Sequence, residues 1–157
     1  MGTYTKMRAE FNLSSDTPES IIKPLKWLLF PENREGAWNV CPFADDNYFF
    51  TLGRHHQIGE NYCGSRDWND DDYINGSWCE LRKCENGTWH IVASSECKNY
   101  DMQFQYFLKW LDPYIIGSDT MVLGQIMHEE KYTVGTLYRN GEYKYSTDDN
   151  QNYWDYE

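Results

Sequence analysis

Five carboxylates crowd into residues 60–72, namely Glu60, Asp67, Asp70, Asp71 and Asp72, and Arg66 is the one base among them. Clustered carboxylates can hold a divalent cation, and a cation held by Asp70 and Asp72 could activate water for hydrolysis. The order of a calcium-binding loop, D-x-D/N-x-D/N-G, is absent, because no glycine stands at the required place. A divalent-metal-dependent nuclease or hydrolase is therefore one alternative these acids permit. His55, His56, His90 and His128 and the five cysteines lack ligand spacing such as C-x-x-C, so no zinc site is expected. The cysteine count is odd, which argues for free thiols over a disulfide framework. There is no G-x-S-x-G elbow, no P-loop and no G-x-G-x-x-G turn. No catalytic residue, metal or cofactor is assigned, and the chain is expected not to be an enzyme.

The acids read differently once their neighbours are included. Residues 60–72 balance to -4, and residues 146–157 add another -4 through Asp148, Asp149, Asp155 and Glu157. Together they supply most of the net charge of -11. Aromatic side chains accompany both segments: Tyr62, Trp68 and Tyr73 in the first, Tyr153, Trp154 and Tyr156 in the second. Solvated loops seldom need tryptophan, whereas the centres of protein interfaces favour Trp and Tyr. This assigns a protein-binding surface to Asp67, Trp68, Asp70, Asp71, Asp72, Tyr73, Asp148, Asp149 and Trp154. Its polarity calls for a partner with a basic surface. Direct nucleic-acid binding is disfavoured, since 14 bases face 25 acids and no basic stripe appears.

The elements that must position these residues follow from periodicity. Met7, Ala9 and Phe11 alternate with Arg8, Glu10 and Asn12, a strand over 3–12. Thr17-Pro18 opens a helix whose stripe is Ile21, Ile22, Leu25, Leu28 and Leu29. Pro24 must kink this helix or delay its start to near residue 23. Tyr48 to Leu52 reads as a short strand, followed by a long irregular loop over 53–75. Residues 77–84 and 88–95 make a hairpin over Glu85-Asn86-Gly87. Asn99 or Asp101 caps a second helix, with Tyr100, Phe104, Phe107, Leu108 and Leu111 as its buried stripe, and Pro113 ends it. A strand over 121–128 and a hairpin across Asn140-Gly141 complete the chain, with a bulge expected at Gly135.

Leu25-Lys26-Trp27-Leu28 recurs as Leu108-Lys109-Trp110-Leu111, each copy soon followed by a proline. An internal strand-helix duplication is one explanation. The fold class expected is α+β: two helices packed on one face of a mostly antiparallel sheet. One domain spans 1–157, with the 53–75 loop and the acidic 146–157 tail attached. No apolar run reaches membrane-spanning length and no signal peptide is visible, so a cytoplasmic protein is expected.

Met1-Gly2-Thr3-Tyr4-Thr5 and Asp16-Thr17-Pro18 carry a resemblance to small, mostly uncharacterised proteins of bacteria and their phages. These begin Met-Gly-x-(Tyr/Phe/Trp)-Thr and then place an Asp-Thr-Pro helix start. Their second half resembles Trp89 to Pro113, with Lys98-Asn99-Tyr100-Asp101 leading into the helix, and then Gly124 to Tyr145. The likeness leaves out the 53–75 loop and the acidic tail. It implies a phage or mobile-element origin and transfers no catalytic motif. Small acidic phage proteins include inhibitors of host nucleic-acid enzymes, some of them DNA mimics. The function expected is thus a small acidic protein-binding module, in its sharpest form an anti-defence inhibitor of a host nucleic-acid-binding enzyme. A self-associating structural or housekeeping phage protein is the second alternative.

Overall fold

The structure, a computed structural model, describes residues 4–60, 79–128 and 134–145. Strand β1 (Thr5–Leu13) buries Met7, Ala9, Phe11 and Leu13 on one face. The expected period-2 pattern places it, and antiparallel pairing along both of its edges makes it central. Five further strands join it: β2 (Glu80–Lys83), β3 (Trp89–Cys97), β4 (Val122–His128), β5 (Gly135–Tyr138) and β6 (Tyr143–Tyr145). Their order across the sheet is β2-β3-β1-β4-β5-β6, and every adjacent pair is antiparallel. The β5–β6 turn is Asn140-Gly141, where Gly141 takes φ of 91° and the Asn140 Oδ1 accepts from the Glu142 N–H.

Helix α1 (Glu19–Leu29) buries Ile21, Ile22, Leu25, Leu28 and Leu29, the stripe its 3.6-residue period defines. Helix α2 (Gln103–Leu111) buries Phe104, Phe107, Leu108 and Leu111 in the same way, whereas Tyr100, expected in that stripe, precedes the helix and is exposed. One apolar cluster joins these residues to Met7, Ala9 and Phe11 of β1, Ile91 and Ala93 of β3 and Ile126 of β4. Both helices therefore cover the same sheet face. The opposite face carries Arg8, Glu10, Asn12 and His90, with His90 Nε2 3.1 Å from Glu10 and 3.4 Å from Glu80.

Several local expectations are corrected. Tyr48–Thr51 is a 3-10 turn, not a strand. The Asn47 side chain accepts from the Phe49 N–H at 3.0 Å, which closes the backbone locally and leaves nothing for a ladder. The 53–75 loop is not irregular throughout, since His55–Gly59 form a second 3-10 turn. Thr17 does not cap α1. Pro18 occupies that position, and the Thr17 hydroxyl donates back to the Ser14 carbonyl at 2.7 Å. Pro24 lies inside α1, which neither starts at 23 nor stops there; its missing N–H deprives only the carbonyl of exposed Ser20. Asp101 caps nothing, and Met102 holds the capping position with φ of 55°. Asn99 still serves α2, because its Oδ1 accepts from the Phe104 N–H at 3.1 Å. The register shift falls between Val122 and Gly124 on β4, not at Gly135.

The 3-10 turn at 55–59 locks the helices to the sheet. The Ser95 hydroxyl of β3 donates to the Gln57 carbonyl at 3.0 Å. The Gln103 side chain of α2 donates to the Gln57 side chain at 3.3 Å. Gly59 approaches α1 so closely that a Cβ there would lie 2.3 Å from the Leu28 carbonyl oxygen.

Candidate interaction surface

The segment from Arg34 to Phe49 has little regular structure, yet it is pinned to the core at three points. Arg34 makes the first pin. Its side chain is only 3% exposed, and its guanidinium stacks 3.7 Å above the Trp27 ring centroid. Nε donates to the Trp27 carbonyl at 2.9 Å. One terminal nitrogen donates to the Trp38 carbonyl and to Glu60, the other to the Leu28 and His56 carbonyls. All five guanidinium N–H groups are thus committed. A planar fork of donors is what four carbonyls and a carboxylate around one point require, and lysine could not supply it.

Cys41 is the second pin. Its backbone N–H donates to His55 Nε2 at 3.2 Å, while His55 Nδ1 lies 2.7 Å from the Leu52 carbonyl. A carbonyl can only accept, so Nδ1 carries the proton and the ring is neutral. Burial pushes the His55 pKa down, against a raising effect of the Leu52 hydrogen bond, and the Arg34 charge lowers it further. His56 is also pushed down by burial, partly opposed by the Glu60 charge. The third pin joins Asp45 to α2: Trp110 Nε1 donates to Asp45 Oδ2 at 3.0 Å. Just beyond it, Phe49 is fully buried against Phe107 and Trp110.

Along this segment large apolar side chains face solvent. Trp38 is 59% exposed, Val40 57%, Phe43 45% and Tyr48 58%. The rings of Trp38 and Tyr48 are propped edge-on against His56 and Tyr106, with centroids 5.2 and 5.0 Å apart. Glu35, Asp45 and Asp46 are exposed along the same segment. An exposed aromatic patch on a backbone fixed from below is the form an interface hot spot takes.

The residues assigned from sequence, Asp67, Trp68, Asp70, Asp71, Asp72, Tyr73, Asp148, Asp149 and Trp154, lie outside the described residues. Trp38, Phe43 and Arg34 lie in a stretch without period or motif, to which sequence assigns no site. The aromatic-with-acid pattern of 60–73 also occurs at 35–48, and applied there it points to Trp38 and Phe43, though not to Arg34.

Chemistry by these side chains is constrained. Among the described residues no group of three His, Cys, Asp or Glu converges to hold a metal ion. His55 and His56 sit in the 3-10 turn, His128 lies buried beside Thr5 on β4, and His90 occupies the opposite sheet face. Cys41, Cys79, Cys84 and Cys97 are free thiols. Burial pushes Cys79 up to about 11 and also raises Cys41, so both stay protonated and unreactive at neutral pH. No helix among the described residues is long and apolar enough to cross a membrane. No protein-family model, curated protein or solved structure matches the chain.

Proposed function

We propose that this protein is a small acidic protein-binding module whose partner presents a basic surface with apolar pockets. The pinned 34–49 loop carries the reading. Four large apolar side chains stand in water on a backbone that Arg34, Cys41 and Asp45 hold in place. The net charge of -11 sets the polarity of the partner. In its sharper form the partner is a nucleic-acid-binding enzyme of a host defence system, and the protein is a phage-encoded, cytoplasmic inhibitor. The carboxylates of 67–72 and 148–149 would then stand where phosphates otherwise lie, with Trp68, Tyr73 and Trp154 beside them. The repeated Leu-Lys-Trp-Leu unit extends the proposal to origin: β1–α1 and β3–α2 descend from one duplicated strand-helix unit. Superposition of residues 4–31 on 89–114 tests that, and failure to bring Trp27 onto Trp110 would end it.

The functional test uses immobilised wild-type protein, a Trp38→Ser/Tyr48→Ser variant and an Asp70, Asp71, Asp72→Asn variant. The expected result is capture of a nucleic-acid-binding protein that salt and duplex DNA release. The first variant should lose it, and the second should weaken it. Equal capture by all three proteins would overturn the reading. A concentration-dependent dimer that buries Trp38 and Tyr48, seen by light scattering, would replace it with self-association.

A further inference from the structure

A cavity of about 360 Å³ opens between α1, the segment that follows it and the edge strand β2. Its walls are aromatic and apolar: Trp27, Phe30, Phe43 and Leu81. Among the described residues its polar lining is Lys23, Lys26, Asn33 and Arg34, with no carboxylate. In a chain with 25 acids and 14 bases, that is a local reversal of sign. Glu32 and Glu35, which flank Asn33-Arg34 in sequence, are exposed and do not line it.

The two lysines differ from Arg34. The guanidinium has every donor committed and is neutralised by Glu60. Lys23 and Lys26 form no ion pair among the described residues. Their ammonium groups rest on ring faces instead, Lys23 5.4 Å from the Phe43 centroid and Lys26 6.0 Å from the Trp89 centroid. Lys83 of β2 comes within 5.7 Å of the same Trp89 ring. Lysines three apart on a helix project to one side, so Lys23 and Lys26 act together. Trp27 adds a second signal: its Nε1–H is buried and finds no acceptor among the described residues. A buried donor left unpaired costs about 1–3 kcal/mol unless something supplies an acceptor.

We infer that this cavity is a binding site for a small aromatic anion, its ring lying among Trp27, Phe30 and Phe43 and its charged group meeting Lys23 and Lys26. The volume falls within the lower range of small-molecule pockets. Phosphate or carboxylate can supply the charge, since both present oxygens to ammonium donors. The site shares Phe43 with the exposed face of the 34–49 loop, but neither Trp38 nor Tyr48 lines it.

Calorimetry on the full chain tests this with four probes: adenosine monophosphate, indole-3-carboxylate, adenosine and inorganic phosphate. At least one aromatic anion should bind with Kd below about 1 mM. Adenosine and inorganic phosphate alone should bind at least about tenfold more weakly, because each satisfies half of the site. Which aromatic anion binds tells phosphate from carboxylate. Lys23→Met/Lys26→Met should weaken binding by about tenfold or more, since each lost charge-assisted contact is of that order. Lys144→Met, on β6 at the far edge of the sheet, should leave it unchanged. Thermal unfolding of both variants should match wild type, which separates loss of the site from loss of the fold. Absence of saturable binding by either aromatic anion, or an unchanged Kd in the double lysine variant, would overturn the inference.

Discussion

Arg34→Met is the sharpest test of how the exposed loop is held. The change keeps much of the aliphatic stem and removes all five hydrogen bonds of the guanidinium. Left behind are the carbonyls of Trp27, Leu28, Trp38 and His56 and the carboxylate of Glu60. Breaking a buried ion pair by removing one partner costs about 3–5 kcal/mol. Glu60 keeps 15% of its side chain exposed, and the loop can open to let water reach the carbonyls, so the lower end applies. The expected loss is about 3 kcal/mol, a large part of the roughly 5–15 kcal/mol that stabilises a domain of this kind. Arg34→Lys restores the charge without the planar fork and should recover about half. Urea unfolding followed by tryptophan fluorescence gives the stability, and amide exchange over 35–60 reports where the loop comes loose. A loss under about 1 kcal/mol would place Arg34 among ordinary exposed pairs and refute the argument. So would Arg34→Lys behaving as wild type.

Acid should destabilise the fold through His55 and His56. Burial holds both below the ordinary 6.5, so the unfolded chain binds more protons as soon as the pH drops under that value. Their contribution is complete above 6.5 and is lost as pH falls through the lowered folded values, by up to about 1.4 kcal/mol per pH unit for each ring. Denaturant titrations at a series of pH values would contradict this if stability stayed flat on acidification or rose, and His56→Gln should reduce the slope. Gly59→Ala drives a Cβ into the Leu28 carbonyl oxygen, and the turn must shift off α1. A loss of about 2–3 kcal/mol in unfolding free energy is expected, and a neutral result would mean the turn does not press on the helix as described. Trp38→Ser/Tyr48→Ser should change stability by no more than about 1 kcal/mol, because both residues are more than half exposed and their rings meet His56 and Tyr106 edge-on. A larger loss would make these rings part of the core and not a surface.

The parts of this fold that sequence exposed are those with a period. The alternation in β1, the stripes of α1 and α2 and the Asn140-Gly141 turn each repeat a physical rule over several residues. Tyr48 to Leu52 misled because three aromatics in a row satisfy β propensity, while a single Asn47 side-chain bond decides for a 3-10 turn. The bulge on β4 was placed at the wrong glycine for a similar reason: its position depends on how β4 meets two partners at once. Arg34 could not be read at all. A lone arginine in a loop has no pattern, and its four carbonyl partners are spread over residues 27 to 56.

That same scatter explains what Arg34 is for. Measured against a well-packed apolar side chain, a buried ion pair adds little net stability. What it adds here is geometry, because five directional bonds admit one arrangement of the α1 C-terminus, the Trp38 backbone and the 55–59 turn. Cys41 and Asp45 then fix the rest of the loop, so Trp38 and Tyr48 are presented in set orientations. Ordering a flexible side chain at an interface costs about 0.5–1.5 kcal/mol, and a loop already ordered in the free protein avoids much of that. On the binding function proposed above, the buried arginine under the exposed aromatic patch would lower the cost of association by ordering the loop beforehand.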